Sequence, residues 1–146
     1  MAGAGTVALE LLRQAPSLAL ILVPVGGGGL AAGTVVAAKS INRTITVIGV
    51  EPRHTSPAPL PWEVNKVLLD DVVTVPDDGI VQAMRWAFEY LKIVVEPSGA
   101  VALAALATSG LPAGPAGVVI SGGSVDFGTF RALMAGLPDA KDRAVA

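Results

Sequence analysis

Gly26, Gly27, Gly28 and Gly29 stand in a row behind the apolar run of residues 18–25 and ahead of a small-residue segment, residues 30–40. Four successive amide N–H groups with no Cβ in the way, at the start of a helix, make a cradle for a phosphate. The competing reading is a plain tight turn or a flexible linker. A linker does not carry a β-rich run on one side and an apolar helix on the other. Glu51, Glu96 and the segment Ser121-Gly122-Gly123-Ser124-Val125-Asp126 also close or follow apolar runs. The single histidine, His54, and the lack of cysteine argue against a Ser-His-Asp triad, a multi-histidine metal site, a thiolate site and a cysteine nucleophile.

The elements that must position these residues follow from the pattern. Thr6 is placed to cap a short helix over residues 7–14, which Pro16 stops. Residues 18–25 read as a strand, residues 30–40 as a helix and residues 44–50 as a second strand ending at Glu51-Pro52. Strand, helix, strand at this length is a βαβ unit, with parallel pairing and a right-handed crossover. Prolines 52, 57, 59 and 61 make an irregular connector. A short helix over 62–69 and a strand over 70–75 come next. Asp77 or Asp78 is placed to cap a helix whose apolar positions are Ile80, Val81, Met84, Phe88 and Leu91. An alanine-rich helix opens at Glu96-Pro97 and runs to about residue 108. A last strand over 117–120 enters the Ser121 segment, a short helix follows from Phe127, and residues 139–146 read as a frayed tail.

One α/β domain spanning residues 1–146 is expected, a three-layer, mostly parallel sheet flanked by helices. Hydrophobic residues at 52% and charged residues at 15% suit a buried parallel sheet. A net charge of −2 with no basic run gives no reason to expect nucleic acid or an anionic membrane as partner. Two long uncharged runs, 14–38 and 97–125, are broken by prolines and glycines that lipid does not tolerate. A soluble, cytoplasmic protein is the expectation. In such sheets ligands sit at the carboxyl ends of the strands, where residues 26–29, Glu51, Glu96 and residues 121–126 converge.

Three phosphate motifs compete for the glycines. A P-loop needs lysine where Thr34 stands, so the ATPase reading fails. A dinucleotide fingerprint fits loosely through Gly26, Gly28 and Ala31, with Glu51 as the ribose acid, and the first half of the chain leaves this open.

The second half adds a resemblance. Gly5-Thr-Val-Ala-Leu-Glu10, Val23-Pro-Val-Gly-Gly-Gly-Gly-Leu30, Val47-Ile-Gly-Val-Glu-Pro52, Asp70-Asp-Val-Val-Thr-Val75, Val95-Glu-Pro-Ser-Gly-Ala100 and Ser121-Gly-Gly-Ser-Val-Asp126 occur in this order. Together they resemble the fold type II pyridoxal-phosphate enzymes, specifically the serine/threonine dehydratase and serine racemase group, over residues 5–126. The resemblance implies that Gly26, Gly27, Gly28 and Gly29 hold the phosphate of pyridoxal 5'-phosphate. It implies that Ser121, with Gly122 beside it, meets the pyridine nitrogen, and that Glu96 lies beside the cofactor. A neutral hydroxyl at the ring nitrogen suits β-elimination of a hydroxy-amino acid to a 2-oxo acid and ammonia.

The chain departs from the family's pattern in several places. Ser124 stands where asparagine is usual. Glu51 matches a carboxylate that binds a divalent cation in some members, but Pro57 replaces the second acid, so this metal site is in doubt and Glu51 reads equally as a strand-end charge. The connector between Glu51 and Asp70 looks shorter than the family's. The half that carries the Ser-x-Lys-x-Arg segment, with the lysine that holds the cofactor covalently, has no counterpart here. Lys39, Lys66, Lys92 and Lys141 are not in that context, and Lys39 and Lys92 read as solvated charges near helix ends. No catalytic residue is therefore assigned, and the chain is expected to be inactive alone. The alternatives are a non-catalytic regulatory or partner module and a Rossmann-like nucleotide-binding domain. A protein partner is expected, either the lysine-bearing half or a second copy.

Overall fold

Alternation along two central strands sets the layers of the molecule. The computed structural model describes residues 2–53, 58–108 and 110–137. Strands β1 (Leu20–Pro24), β2 (Thr46–Pro52), β3 (Asp71–Val75) and β4 (Ala116–Val118) pair in the order β3-β2-β1-β4, all parallel. Helices α1 (Thr6–Gln14), α2 (Gly29–Ile41), α3 (Pro59–Leu68), α4 (Asp77–Trp86), α5 (Pro97–Ala104) and α6 (Phe127–Ala135) flank them. Leu20, Leu22, Ile48 and Val50 point to one face, into a core with Ile80 and Met84 of α4, Ala100 and Val101 of α5 and Phe130 of α6. Ile21, Val23 and Val47 point to the other, against Ala8 and Leu12 of α1 and Ala31, Val35 and Ala38 of α2. The three-layer parallel architecture read from the sequence is the one observed.

Pro24 sits at the end of a central strand, where a missing N–H normally breaks a ladder. The Leu22 carbonyl accepts from Val119 and the Val25 amide donates to Val50, so alternation turns the Pro24 nitrogen toward the β4 side. There β4 has already ended, opposite Leu22.

Several local expectations are corrected. Gly5, not Thr6, is the N-cap of α1; the Thr6 hydroxyl donates to the Gly3 carbonyl at 2.9 Å within the preceding 3-10 turn. Helix α3 begins earlier than expected, because prolines in a first turn cost no hydrogen bond. Pro76 is the N-cap of α4; Asp77 and Asp78 lie in its first turn, where they face the positive end of the dipole without capping it. The helix ends in a π turn, Ala87–Leu91, followed by Lys92 in the left-handed region at φ 60. The wider turn rotates the apolar stripe, so Ala87 is buried while Phe88 and Leu91 are exposed. The alanine-rich helix α5 stops at Ala104 and closes in a 3-10 turn, Ala105–Ala107.

The lysine of α2 is also not simply solvated. Lys39 donates to the Ile45 carbonyl at 2.7 Å and pairs with Asp70 at 2.6 Å, and Asp70 accepts the Val47 amide at 2.7 Å. This pair ties α2 to the entry ends of β2 and β3, far from the carboxyl ends of the strands.

Candidate functional site

The chain leaves β1 for β2 and then β3 on one side, and later returns to β4 on the other. The strand order therefore reverses between β1 and β4, and a crevice opens at their carboxyl ends. Residues 26–29 leave β1 at this point and residues 119–124 follow β4 there. Glu96 joins them as the N-cap of α5.

The four glycines are not equivalent. Gly28 takes φ +85 as the N-cap of α2, and a Cβ on it would lie 2.8 Å from Asn65 Nδ2 and 3.0 Å from Pro61 Cβ. The fold itself requires glycine there. A Cβ on Gly26, Gly27 or Gly29 would meet no described atom within 4 Å, and none of the three needs a left-handed φ. Among the described residues the amides of residues 26–31 find no acceptor; Ala32 is the first to do so, donating to the Gly28 carbonyl at 2.9 Å. A row of N–H groups at a helix N-terminus, unclaimed and unobstructed by any described residue, is the geometry an anion needs.

The back of the loop is held by α3 and the residue before it. Ala58 donates its amide to the Gly27 carbonyl at 3.2 Å, and Asn65 Nδ2 donates to the Gly28 carbonyl at 3.1 Å. Sequence reasoning missed Asn65. A polar residue on a short helix reads as solvent-facing, and nothing in the spacing points to a partner in the glycine loop.

The turn after β4 is built differently. Glu96 accepts the Ser124 amide at 3.0 Å and the Ser98 hydroxyl at 2.6 Å, while its own amide donates to the Gly122 carbonyl at 3.3 Å. Gly122 has φ +80, and a Cβ on it would strike Glu96 Oε1. A Cβ on Gly99 would strike the carbonyl oxygens of Ser121 and Gly122, and one on Gly123 would lie 2.9 Å from the Val94 carbonyl oxygen. The carboxylate of Glu96 is thus engaged by the turn it supports, and Ser121 is left half-buried. Ser121 lines a cavity of about 450 Å³ together with Leu30 from the first turn of α2, Val119, Ile120 and Glu10 and Leu11 of α1. One hollow therefore connects the helix behind the glycine cradle with the Ser121 turn.

Glu51 ends β2 outside this hollow. It lines a second cavity, of about 240 Å³, with Val25, Trp62, Asn65, Lys66, Leu69, Asp71 and Val72. Among the described residues no three metal-ligating side chains gather in one place. Pro57 and His54 lie outside the described residues, as does Lys141. Of the other lysines, Lys39 is held by Asp70, Lys66 pairs with Glu63, and Lys92 donates to the Glu89 carbonyl. None lines the cavity that holds Ser121. No helix among the described residues is long and apolar enough to cross a membrane.

The architecture defines a parallel α/β domain with a crevice at its switch point. Comparison with known proteins gives the family. The family model described as pyridoxal-phosphate dependent enzyme matches residues 1–62 and 53–122, and the chain belongs to that family, in its fold type II branch. Serine racemase of Oryza sativa subsp. indica is 36% identical over 164 residues, covering 89% of this chain and 48% of the relative. The biosynthetic L-threonine dehydratase of Salmonella typhimurium is 36% identical, covering 90% of this chain and 32% of the relative. The structure of maize serine racemase superposes with a TM-score of 0.81 at 37% identity, over 91% of this chain and 52% of that one. The chain thus spans about half the length, or less, of the relatives it matches. The two family matches meet in the proline connector. The 164-residue alignment with the rice protein is longer than this chain of 146 residues, so the alignment contains positions with no counterpart here.

Proposed function

We propose that this chain supplies the phosphate and pyridine-nitrogen contacts of a pyridoxal-phosphate-dependent enzyme for small hydroxy-amino acids, and that the covalent lysine comes from another segment. The observation that carries this is the loop of residues 26–29: among the described residues, three of its glycines have open Cβ positions and its amides have no acceptor, beside a hollow lined by Ser121. Residues 26–29 fit a phosphate ester because backbone N–H groups at a helix N-terminus favour a dianion. Ser121 fits the ring nitrogen because a hydroxyl can donate to it without protonating it. Glu96 serves the same turn by fixing Ser124 and Gly122.

When bound, the cofactor supplies the electron sink for removal of the α-proton and loss of a β-hydroxyl, giving a 2-oxo acid and ammonia. The chain's own part is to anchor and orient. No described lysine reaches the hollow, which supports a site completed by a lysine-bearing segment. The exposed run Phe88, Tyr90, Leu91, Ile93 and Val94 supports the same view, as apolar surface of this extent suits a protein partner, either that segment or a second copy.

The test is titration of the purified chain with pyridoxal phosphate, followed by borohydride reduction and peptide mass mapping. Saturable binding without one preferentially reduced lysine is expected. A single lysine trapped in stoichiometric yield would overturn the divided site. Binding of NAD in place of pyridoxal phosphate would overturn the cofactor assignment.

A further inference from the structure

Asn65 is 4% exposed, and its Oδ1 is buried without a hydrogen-bond partner. A buried amide with an unmet acceptor is unfavourable, whereas an apolar side chain would bury freely at this place. The one hydrogen bond described for the side chain is the 3.1 Å contact from Nδ2 to the Gly28 carbonyl. Because a carbonyl can only accept, the amide orientation is fixed by that contact.

That carbonyl belongs to the cradle. It accepts from Ala32 at 2.9 Å as well as from Asn65, so the peptide unit between Gly28 and Gly29 is held by two donors. No peptide bond described is cis. In a planar trans unit the N–H points opposite to the C=O, so holding the carbonyl aims the amide hydrogen. Gly29 N–H is thereby turned away from Asn65. The preceding unit is held in the same way, since Ala58 donates to the Gly27 carbonyl at 3.2 Å and Gly28 N–H must point away from it. Glycines are the residues least able to hold such an orientation unaided.

We propose that Asn65 is a positioning residue of the phosphate cradle, acting through the Gly28 carbonyl to present the Gly29 amide to the phosphate. Ala58 does the same, more weakly, for Gly28. This rests on the reading that the cradle takes the cofactor phosphate. Helix α3 and Ala58 before it therefore serve the site from behind, without touching the ligand.

The test compares pyridoxine phosphate with pyridoxine by calorimetric titration of the full chain. Neither has an aldehyde, so surface lysines do not react with them. Wild type should prefer the phosphate ester. Asn65→Leu keeps the branched shape and the number of side-chain heavy atoms and removes the donor; it should weaken the ester about tenfold, the equivalent of about 1.4 kcal/mol, and change pyridoxine less than about twofold. Ala58→Pro removes only a backbone donor at φ −70, which proline accepts, and should weaken the ester about threefold. It carries the test if Asn65→Leu does not fold. A wild type that binds both probes equally overturns the cradle reading and this inference with it. A wild type that prefers the ester, with variants that prefer it as strongly, overturns the role of Asn65 alone. Equal losses for both probes would make Asn65 a packing residue and overturn its positioning role.

Discussion

Two glycine-rich turns leave the carboxyl ends of neighbouring strands, residues 26–29 after β1 and residues 121–124 after β4. By composition they look alike, and they are glycine-rich for opposite reasons. In the first, only Gly28 is demanded by the protein; the other glycines keep open a space that no described atom enters. In the second, Gly122, Gly123 and the facing Gly99 are demanded by atoms already there: the Glu96 carboxylate, the Val94 carbonyl and two carbonyls of the turn itself. The first turn leaves its amides unpaired among the described residues. The second is a packed joint that holds one hydroxyl, Ser121, at the edge of the hollow. Glycine next to a strand therefore signals a site only when the missing Cβ leaves space unused by the protein.

The largest expected effect lies in the joint. Gly99→Ala places a methyl on two backbone oxygens that cannot move independently, and we expect a loss of about 3 kcal/mol or more, read as a collapse of the urea midpoint. A variant as stable as wild type would show that the joint is loose. Within the cradle, Gly28→Ala should destabilise by about 1–3 kcal/mol, from its positive φ and the approach of Asn65 and Pro61. Gly27→Ala should do the reverse: stability within about 0.5 kcal/mol of wild type, since the backbone loses freedom only in the unfolded chain. Its affinity for a phosphate ester should still fall about tenfold, because the methyl enters the space the ligand needs. If Gly27→Ala unfolds the protein, the distinction between the two turns fails.

A smaller effect separates strut from ligand at Glu96. Glu96→Ala removes the acceptor of the Ser124 amide and the Ser98 hydroxyl, and should cost about 1 kcal/mol in thermal or urea unfolding. It also clears the place a Cβ at Gly122 would occupy. Gly122→Ala should therefore cost less in the Glu96→Ala background than alone, a coupling that a double-mutant cycle reads directly. Strict additivity would mean that the carboxylate does not brace the turn.

Much of this was legible in the sequence, for physical reasons that also mark where legibility stops. Buried parallel strands are apolar runs bounded by turn residues, so β1 and β2 stand out, and β3, at the exposed edge, shows through its β-branched run; the convergence of Gly26, Glu51, Glu96 and Ser121 at one end of the sheet follows from their place after such runs. The π turn after Trp86 was not legible, because a regular helical period was assumed where the backbone inserts an extra residue per turn. Asn65 was hidden for another reason: its partner is a backbone carbonyl 37 residues away, and side chain to backbone contacts of that reach leave no spacing pattern. The distinction among the four glycines depends on what stands opposite each Cβ, which only the packing of α3 decides.

The smallest effect concerns the far end of the second turn, where it passes into α6. Asp126 is the N-cap of that helix and accepts the Thr129 amide at 2.9 Å. The Thr129 hydroxyl and amide together hold the Asp126 carboxyl below the usual carboxylate range. A folded-state value below the unfolded one means that the unfolded chain binds the proton more readily between the two, so this contribution to stability rises with pH there. It is fully present above the unfolded value, about 4, and is lost as pH falls through the lowered folded value. Asp126 is exposed, so solvent screens the charge and the effect is modest. Asp126→Asn keeps a side-chain acceptor for the cap and removes the titration. The difference in melting temperature between wild type and this variant should be constant from neutral pH to about pH 5, then shrink as the solution is taken below about pH 4. A difference that stays constant through the acid range would mean that the turn after β4 is anchored at Glu96 alone. A shrinking one would mean that carboxylates brace it at both ends, in contrast to the turn after β1, whose carbonyls are held by the neutral donors Ala58 and Asn65.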